Sequence, residues 1–206
     1  MFTKSTNILY NMVYVCACIS IANAANYTCL VGNDAPHPQD FNRVIFCRPH
    51  EVCYLEEYVT PAGLIRYNAG CKNEIHITQG NECHDTTVSS PNILVCSHCC
   101  RGDLCASSMC GNTGYPINTG PVCYSCPYPI DQSDLCDTIR ICNRNEKCGF
   151  FVNQDGRFEV KCMPDSSCNQ AMTTSSCARC CDSQLCNSAC DNPNATNIPT
   201  SGTRKT

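Results

Sequence analysis

Cysteine is the residue type with chemistry to offer in this chain. The 206 residues include 24 of them, densest in two segments. Cys96–Cys110 reads CSHCCRGDLCASSMC, and Cys177–Cys190 reads CARCCDSQLCNSAC. Reduced, Cys-x-x-Cys pairs such as Cys96/Cys99, Cys123/Cys126 and Cys177/Cys180 hold zinc or exchange electrons; oxidised, cysteines crosslink the chain. Neighbours such as Cys99-Cys100 and Cys180-Cys181 cannot easily bond each other, so each sends its side chain to a different part of the fold. A segment doing this repeatedly is a knot into which other strands are tied.

The N-terminus decides between reduced and oxidised chemistry. Lys4 supplies a small basic region, Ile8–Ile21 is mostly apolar, and Ala22-Asn23-Ala24 offers small residues where a signal peptidase reads. The apolar run is shorter than the roughly 20 residues a spanning helix needs. Residues 1–24 are therefore read as a signal peptide, whose removal takes away Cys16 and Cys18 and leaves an even number for pairing. Export delivers the chain to an oxidising compartment, where disulfides persist. Zinc fingers hold reduced thiolates, and redox Cys-x-x-Cys motifs sit in βαβ contexts, so neither fits. No cofactor is expected.

The polar tail 191–206 has no hydrophobic stretch of the kind a lipid-anchor signal requires, so a secreted, extracellular protein without a membrane anchor is expected. Asn26-Tyr27-Thr28 and Asn194-Ala195-Thr196 are acceptor sequons that place glycans on Asn26 and Asn194. The net charge is −4 without a basic stripe, which argues against nucleic acid as a partner.

The elements that position the cysteines repeat. Residues 25–110 and 122–190 are read as two domains, joined by the Gly/Pro/Asn/Thr linker 111–121. The step from Cys47 to Cys53 recurs from Cys142 to Cys148, and Glu51-x-Cys53 recurs as Glu146-x-Cys148. The first copy lacks counterparts of Cys126 and Cys136, and losing two together suggests that those two bond each other. Domains of roughly 80–90 residues bury only about 60% of their unfolded surface. Crosslinks worth roughly 2–4 kcal/mol each offset that deficit.

Between cysteines the pattern is strand and turn. Gly149–Val152 and Arg157–Val160 flank Asn153-Gln154-Asp155-Gly156, whose Asp-Gly is a hairpin signal. Cys53–Val59 and Leu64–Asn68 flank Thr60-Pro61-Ala62-Gly63. A third hairpin is expected from Thr86–Val88 and Ile93–Cys96. No window sustains a helical period, so the chain is read as all-β, built from small antiparallel sheets with a cysteine knob.

Enzyme motifs are missing. There is no Gly-x-Ser-x-Gly, His-Glu-x-x-His or phosphate loop. His37, His50, His76, His84 and His98 match no metal spacing and read as surface residues. Arg101-Gly102-Asp103 is the integrin-recognition tripeptide, but Gly-Asp is also ordinary turn chemistry. The corresponding loop of the second copy is Asp182-Ser183-Gln184-Leu185. The tripeptide is therefore read as structural, and no integrin partner is expected.

The arrangement resembles a known family. Cys180-Cys181-Asp182-Ser183-Gln184-Leu185-Cys186-Asn187 closes a segment that opens with Cys123-Tyr124-Ser125-Cys126. This is similar to the three-finger domain of the lymphocyte-antigen-6/urokinase-receptor family and of snake three-finger toxins. The first copy departs from it: it lacks one cysteine pair, and Ala106 stands where the second has Asn187. The resemblance implies two tandem three-finger domains, each with three β-hairpins projecting from a disulfide knob. In that family the Asn at position 187 caps the closing loop onto the first strand, so the first copy is expected to be looser there. The implied pairs are Cys29–Cys53, Cys47–Cys71, Cys83–Cys99, Cys100–Cys105 and Cys96–Cys110. In the second copy they are Cys123–Cys148, Cys126–Cys136, Cys142–Cys162, Cys168–Cys180, Cys181–Cys186 and Cys177–Cys190.

A binding role follows from the resemblance: a secreted, non-enzymatic module acting on an unidentified receptor, channel or secreted enzyme at the cell surface or outside it. The alternatives are a structural component of matrix or a mucus-like secretion, and a phospholipase-inhibitor-like tandem protein. Middle hairpins project farthest in such proteins, so Tyr54, Glu56, Glu57, Tyr58, Arg66 and Tyr67 are expected to form an exposed partner-binding cluster. Tyr and Arg are types enriched at binding hot spots. Phe150, Phe151 and Phe158 are expected to pack inward. Expressed in an exporting cell, the protein is expected in the medium with Ala25 as its first residue. Recovery only from membranes after phospholipase C treatment would overturn that expectation.

Overall fold

The computed structural model describes residues 26–77, 82–131 and 136–189. The expected signal peptide 1–24, Asn194 and the tail 191–206 therefore lie outside the described residues. The chain is all-β and disulfide-rich, in small antiparallel sheets. In the first repeat, β1 (Thr28–Leu30) pairs with β3 (Val44–Phe46). A four-stranded sheet runs β2 (Gly32–Ala35), β5 (Ile65–Asn73), β4 (Glu51–Val59), β6 (Ile93–Cys100). In the second repeat, β7 (Val122–Tyr124) pairs with β8 (Ile139–Ile141), and β9 (Glu146–Val152) lies between β10 (Phe158–Pro164) and β11 (Ala178–Cys181).

The turns explain the two long hairpins. Thr60 N–H donates to Leu64 C=O at 2.9 Å and the Thr60 hydroxyl accepts from Leu64 N–H at 3.2 Å, around Gly63, which sits at φ +77°. Asn153 Oδ1 accepts from the N–H groups of Asp155 and Arg157, both at 3.0 Å, and closes the tighter turn. Phe150 is fully buried and lies 5.3 Å from the half-buried Phe158 ring; Phe151 is also half-buried.

Two expectations need correction. Thr86–Val88 forms no strand, and β6 pairs with β4 instead. The reason is that the Thr87 N–H is taken by the Glu56 carboxylate and is not offered to β6. The second repeat also contains a helix, α1 (Asp165–Thr174). Pro164 at its N-cap and Asp165 in its first turn start it, and Cys168 and Ala171, three apart, turn one face inward.

Crosslinks tie the strands at one end. Bonded pairs are Cys29–Cys53, Cys47–Cys71, Cys83–Cys99, Cys96–Cys110 and Cys100–Cys105 in the first repeat. In the second they are Cys123–Cys148, Cys126–Cys136, Cys142–Cys162, Cys168–Cys180 and Cys181–Cys186. Cys177 is also disulfide-bonded, whereas Cys190 lies outside the described residues. Among the described residues each of these bridges stays within its own repeat.

The repeats nevertheless meet. Arg43 and Thr138, each four residues before equivalent cysteines, form an antiparallel bridge. Val44 N–H donates to Asp137 C=O and Ile139 N–H to Asn42 C=O, both at 2.8 Å. Arg43 pairs with Asp137, and Thr28 of the first repeat lies beside the buried Tyr124 hydroxyl of the second. Burial pushes the Tyr124 hydroxyl pKa up, and nearby Asp103 adds to that shift. One buried cluster contains Leu30, Val44 and Leu55 together with Val122, Ile139 and Phe150. The linker is not free either: Gln39 Nε2 donates to Gly114 C=O at 2.5 Å, and Gly120 N–H to Cys142 C=O at 2.9 Å.

The closing loops dock on the first strands in the same way. Leu104 and Leu185 both sit at φ 54°; their N–H groups reach Thr28 and Val122 C=O, each at 2.8 Å. In the second repeat the fully buried Asn187 accepts from Tyr124 N–H at 3.1 Å. It also donates to Tyr124 C=O at 2.9 Å and Gly149 C=O at 3.0 Å. Where Asn187 would stand, the first repeat has the fully buried Ala106, and Asp103 Oδ1 instead accepts from Thr28 N–H at 2.8 Å. A different residue fastens that loop, with one side-chain hydrogen bond where Asn187 makes three. Chemical denaturation of Asn187→Ala is expected to show a loss of roughly 2–4 kcal/mol, because several buried backbone groups lose partners worth about 1–3 kcal/mol each. Asp103→Ala is expected to cost roughly 0.5–2 kcal/mol, and Arg101→Ala almost nothing.

Candidate functional site

The hairpin of β4 and β5 places the residues singled out for binding. Tyr54, Tyr58 and Tyr67 are buried, at 7%, 5% and 7% exposure, and Glu56 is at 0%. Glu57 and Arg66 are half-buried. The expected exposed cluster is therefore corrected. β4 is a central strand with β5 on one side and β6 on the other, and the segment 83–88 folds over one of its faces. Strands enriched in tyrosine here use it for packing.

Beneath that segment lies a buried polar network. Lys72 Nζ donates to Glu56 Oε1 at 2.6 Å and to the Asp85 carbonyl, and stands 4.3 Å from the Tyr54 ring centre. Thr87 donates its N–H to both Glu56 oxygens at 3.0 Å and its hydroxyl to Oε2. Asn68 Nδ2 donates to Thr87 Oγ1 at 3.2 Å, and its Oδ1 accepts from Asp34 N–H at 3.1 Å. Tyr58 donates to Asp34 at 3.0 Å, with Arg66 Nε 3.5 Å from the same carboxylate. Burial raises the Tyr54 and Tyr58 hydroxyl pKa values. Every strong group in this network is spent on another, which makes it a latch for the segment and not a catalytic centre.

The exposed chemistry lies farther out. Val59 faces Ile65 on one side and Ile93 on the other, so three apolar side chains form a row across β5, β4 and β6. Leu64, Ile65, Ile93, Leu94 and Val95 are 49%, 49%, 67%, 40% and 57% exposed. A register shift of β6 against Glu57/Tyr58 leaves Val95 as the extra residue of a bulge. The segments Val59–Ile65 and Thr86–Val95 contain no charged residue. The result is an uncharged apolar tip where the β4–β5 hairpin and the start of the adjacent β6 end together. Its signal in the sequence was Ile93-Leu94-Val95: three consecutive apolar residues on a two-faced strand cannot all point inward.

At the matching place in the second repeat, Gln154, Asp155, Gly156 and Arg157 are exposed, and the tip is polar. Arg101 is exposed and 3.4 Å from Glu74, while Asp103 is committed to Thr28. The tripeptide thus has its carboxylate engaged in its own fold. Glu74 is held below the usual carboxylate range, chiefly by its hydrogen bond with His50. His37 and His84 are exposed.

Sulfur atoms also gather closely enough to suggest a metal site, as at Cys29, Cys47 and Cys53. Each of these is already in a disulfide, and a bonded sulfur offers no thiolate. No helix among the described residues is long and apolar enough to cross a membrane. No family model matches this chain, and neither a curated protein nor a solved structure matches it.

The latch and the tip separate by experiment. Glu56→Ala leaves Lys72 buried without its partner and is expected to cost roughly 3–5 kcal/mol in denaturation. Ile93→Lys is expected to leave the disulfide map and stability unchanged while reducing fluorescence of a hydrophobic dye bound to the folded protein. Undiminished dye binding would show that the apolar surface lies elsewhere.

Proposed function

We propose that this chain is a secreted, non-enzymatic protein-binding module of the three-finger kind, acting as ligand or modulator of a cell-surface or extracellular protein. The observation that carries the reading is the uncharged tip of Leu64, Ile65, Ile93, Leu94 and Val95, held out where the β4–β5 hairpin and the start of β6 lie far from the Cys29–Cys53 and Cys47–Cys71 bridges. An exposed apolar patch on a protein this rich in disulfides is an interaction surface in waiting. Its fitting occupant is a protein face that is itself apolar and uncharged. Lipid surfaces attract Lys, Arg and aromatic side chains, and this tip presents none.

The buried tyrosines take no direct part. They support the tip, since β4 carries Tyr54 and Tyr58 inward and Val59 outward. A structural role in matrix or secretion is the second reading, favoured by the low charged fraction of 16%. Saturable binding of the labelled mature protein to cells separates the two.

The expected outcome is that Ile93→Lys or Leu64→Lys weakens that binding at least tenfold with the fold intact. Replacing Glu57–Arg66 by Asn153–Arg157, all cysteines kept, is expected to abolish it. Binding that survives all three changes would place the site outside this tip. Material extractable only with denaturant would favour the structural reading.

A further inference from the structure

The four-stranded sheet of the first repeat has two outer edges, and they are built differently. β2 is short, its register against β5 shifts between Gly32 and Ala35, and the exposed, charged Asp34 sits at φ 60°. A short, kinked and charged edge does not invite another strand. β6 has neither a charge nor a left-handed residue at its start. Ile93, Leu94 and Val95 are exposed in succession, so both faces of the strand are open there.

The backbone is open on that side as well. Farther along, the outer edge of β6 is occupied: Glu82 bridges His98, and Cys83 N–H donates to Ser97 C=O at 3.2 Å. Among the described residues nothing pairs with this edge from Ile93 to Cys96. Ser97 and Leu94 stand opposite Glu56 and Tyr58, two positions apart on β4, so both turn their backbone groups to the same side. The bond from Cys83 to Ser97 marks that side as the outer one. Leu94 is left with a donor and an acceptor aimed at a further strand.

The occupant that fits is a second copy of this chain. A residue with one donor and one acceptor on an edge finds its complement in itself turned through 180°, the pattern of a two-fold contact. Copies that each carry a net charge of −4 repel, and the repulsion is least where Thr86–Val95 holds no charge. Because β2 is guarded, such pairing joins two copies and stops there. We infer that two copies pair antiparallel through the start of β6, with Leu94 of each opposite Leu94 of the other. The apolar row Ile65, Val59, Ile93 then continues into the second copy across one sheet of eight strands. A contact of so few residues falls below the roughly 1,200–2,000 Å² of stable complexes, so the dimer is of the exchanging kind. It uses part of the apolar tip, yet it stands without the function proposed for that tip.

The test uses the mature chain alone. Sedimentation equilibrium is expected to show reversible monomer–dimer exchange with a dissociation constant of about 10–500 μM and no larger species. Hydrogen exchange over the same concentrations is expected to slow at the Leu94 amide as the dimer forms. Leu94→Lys and Leu94→Glu, each checked for unchanged disulfides, are expected to associate at least tenfold more weakly by themselves. Mixed together they are expected to regain association, because the axis sets residue 94 against itself.

A monomer mass that persists to about 1 mM would overturn the proposal. So would higher oligomers, a Leu94 amide that exchanges equally fast in monomer and dimer, or variants that stay apart when mixed. A strict monomer that binds cells would leave the tip to a different protein. A dimer that binds no cell would stand while the proposed function fell.

Discussion

The structure depends on pairs of disulfides packed against each other. Cys29–Cys53 and Cys47–Cys71 touch through Cys29 and Cys47 sulfurs 3.0 Å apart, and Cys123 and Cys142 repeat the contact at 3.0 Å. Cys29, Cys47 and Cys53 are almost wholly buried. A chain with no tryptophan and few large apolar residues obtains its densest packing from these bridges. They also close loops in the unfolded chain, which lowers its entropy and favours the folded state. Beyond the bridges, the turns of the long hairpins are free to differ.

That freedom is restrained at two places. In the first repeat the buried Glu56–Lys72 pair and Thr87 hold the segment 83–88 down over β4. A buried ion pair contributes little net stability compared with an apolar replacement, yet removing one partner is costly. Its effect is to select one position for the segment. At the seam, the ladder consumes the edges of β3 and β8, which would otherwise invite pairing with other chains. The two repeats protect each other's open strands.

Much of this was legible in the residues. The turns carried their own signals: Asn153 and Gly156 for one hairpin, Thr60 and Gly63 for the other, so strand positions followed. Cysteine spacing carried the organisation into two copies. What could not be read was set by neighbours distant in the chain. Tyr54, Tyr58 and Tyr67 alternate as any strand residues do, and only the placement of β6 and the segment 83–88 makes them buried. The helix at Asp165–Thr174 has a short apolar face, Cys168 and Ala171, too brief to show a period. Arg43 and Thr138 share no residue type, so nothing in their chemistry announces a symmetric contact made through the backbone.

The same backbone contact explains how the two tips could become so different. Sequence differences at Leu64, Ile65 and Ile93 on one side, or at Gln154 and Arg157 on the other, touch neither the bridges nor the ladder. An interface made of N–H and C=O groups is indifferent to side-chain identity, and a crosslinked base is indifferent to the turn it carries. Only the supports are constrained: Asn187 in one repeat, Asp103 in the other, each fastening a closing loop to a first strand. Function in such a body sits where the fold exerts the least control.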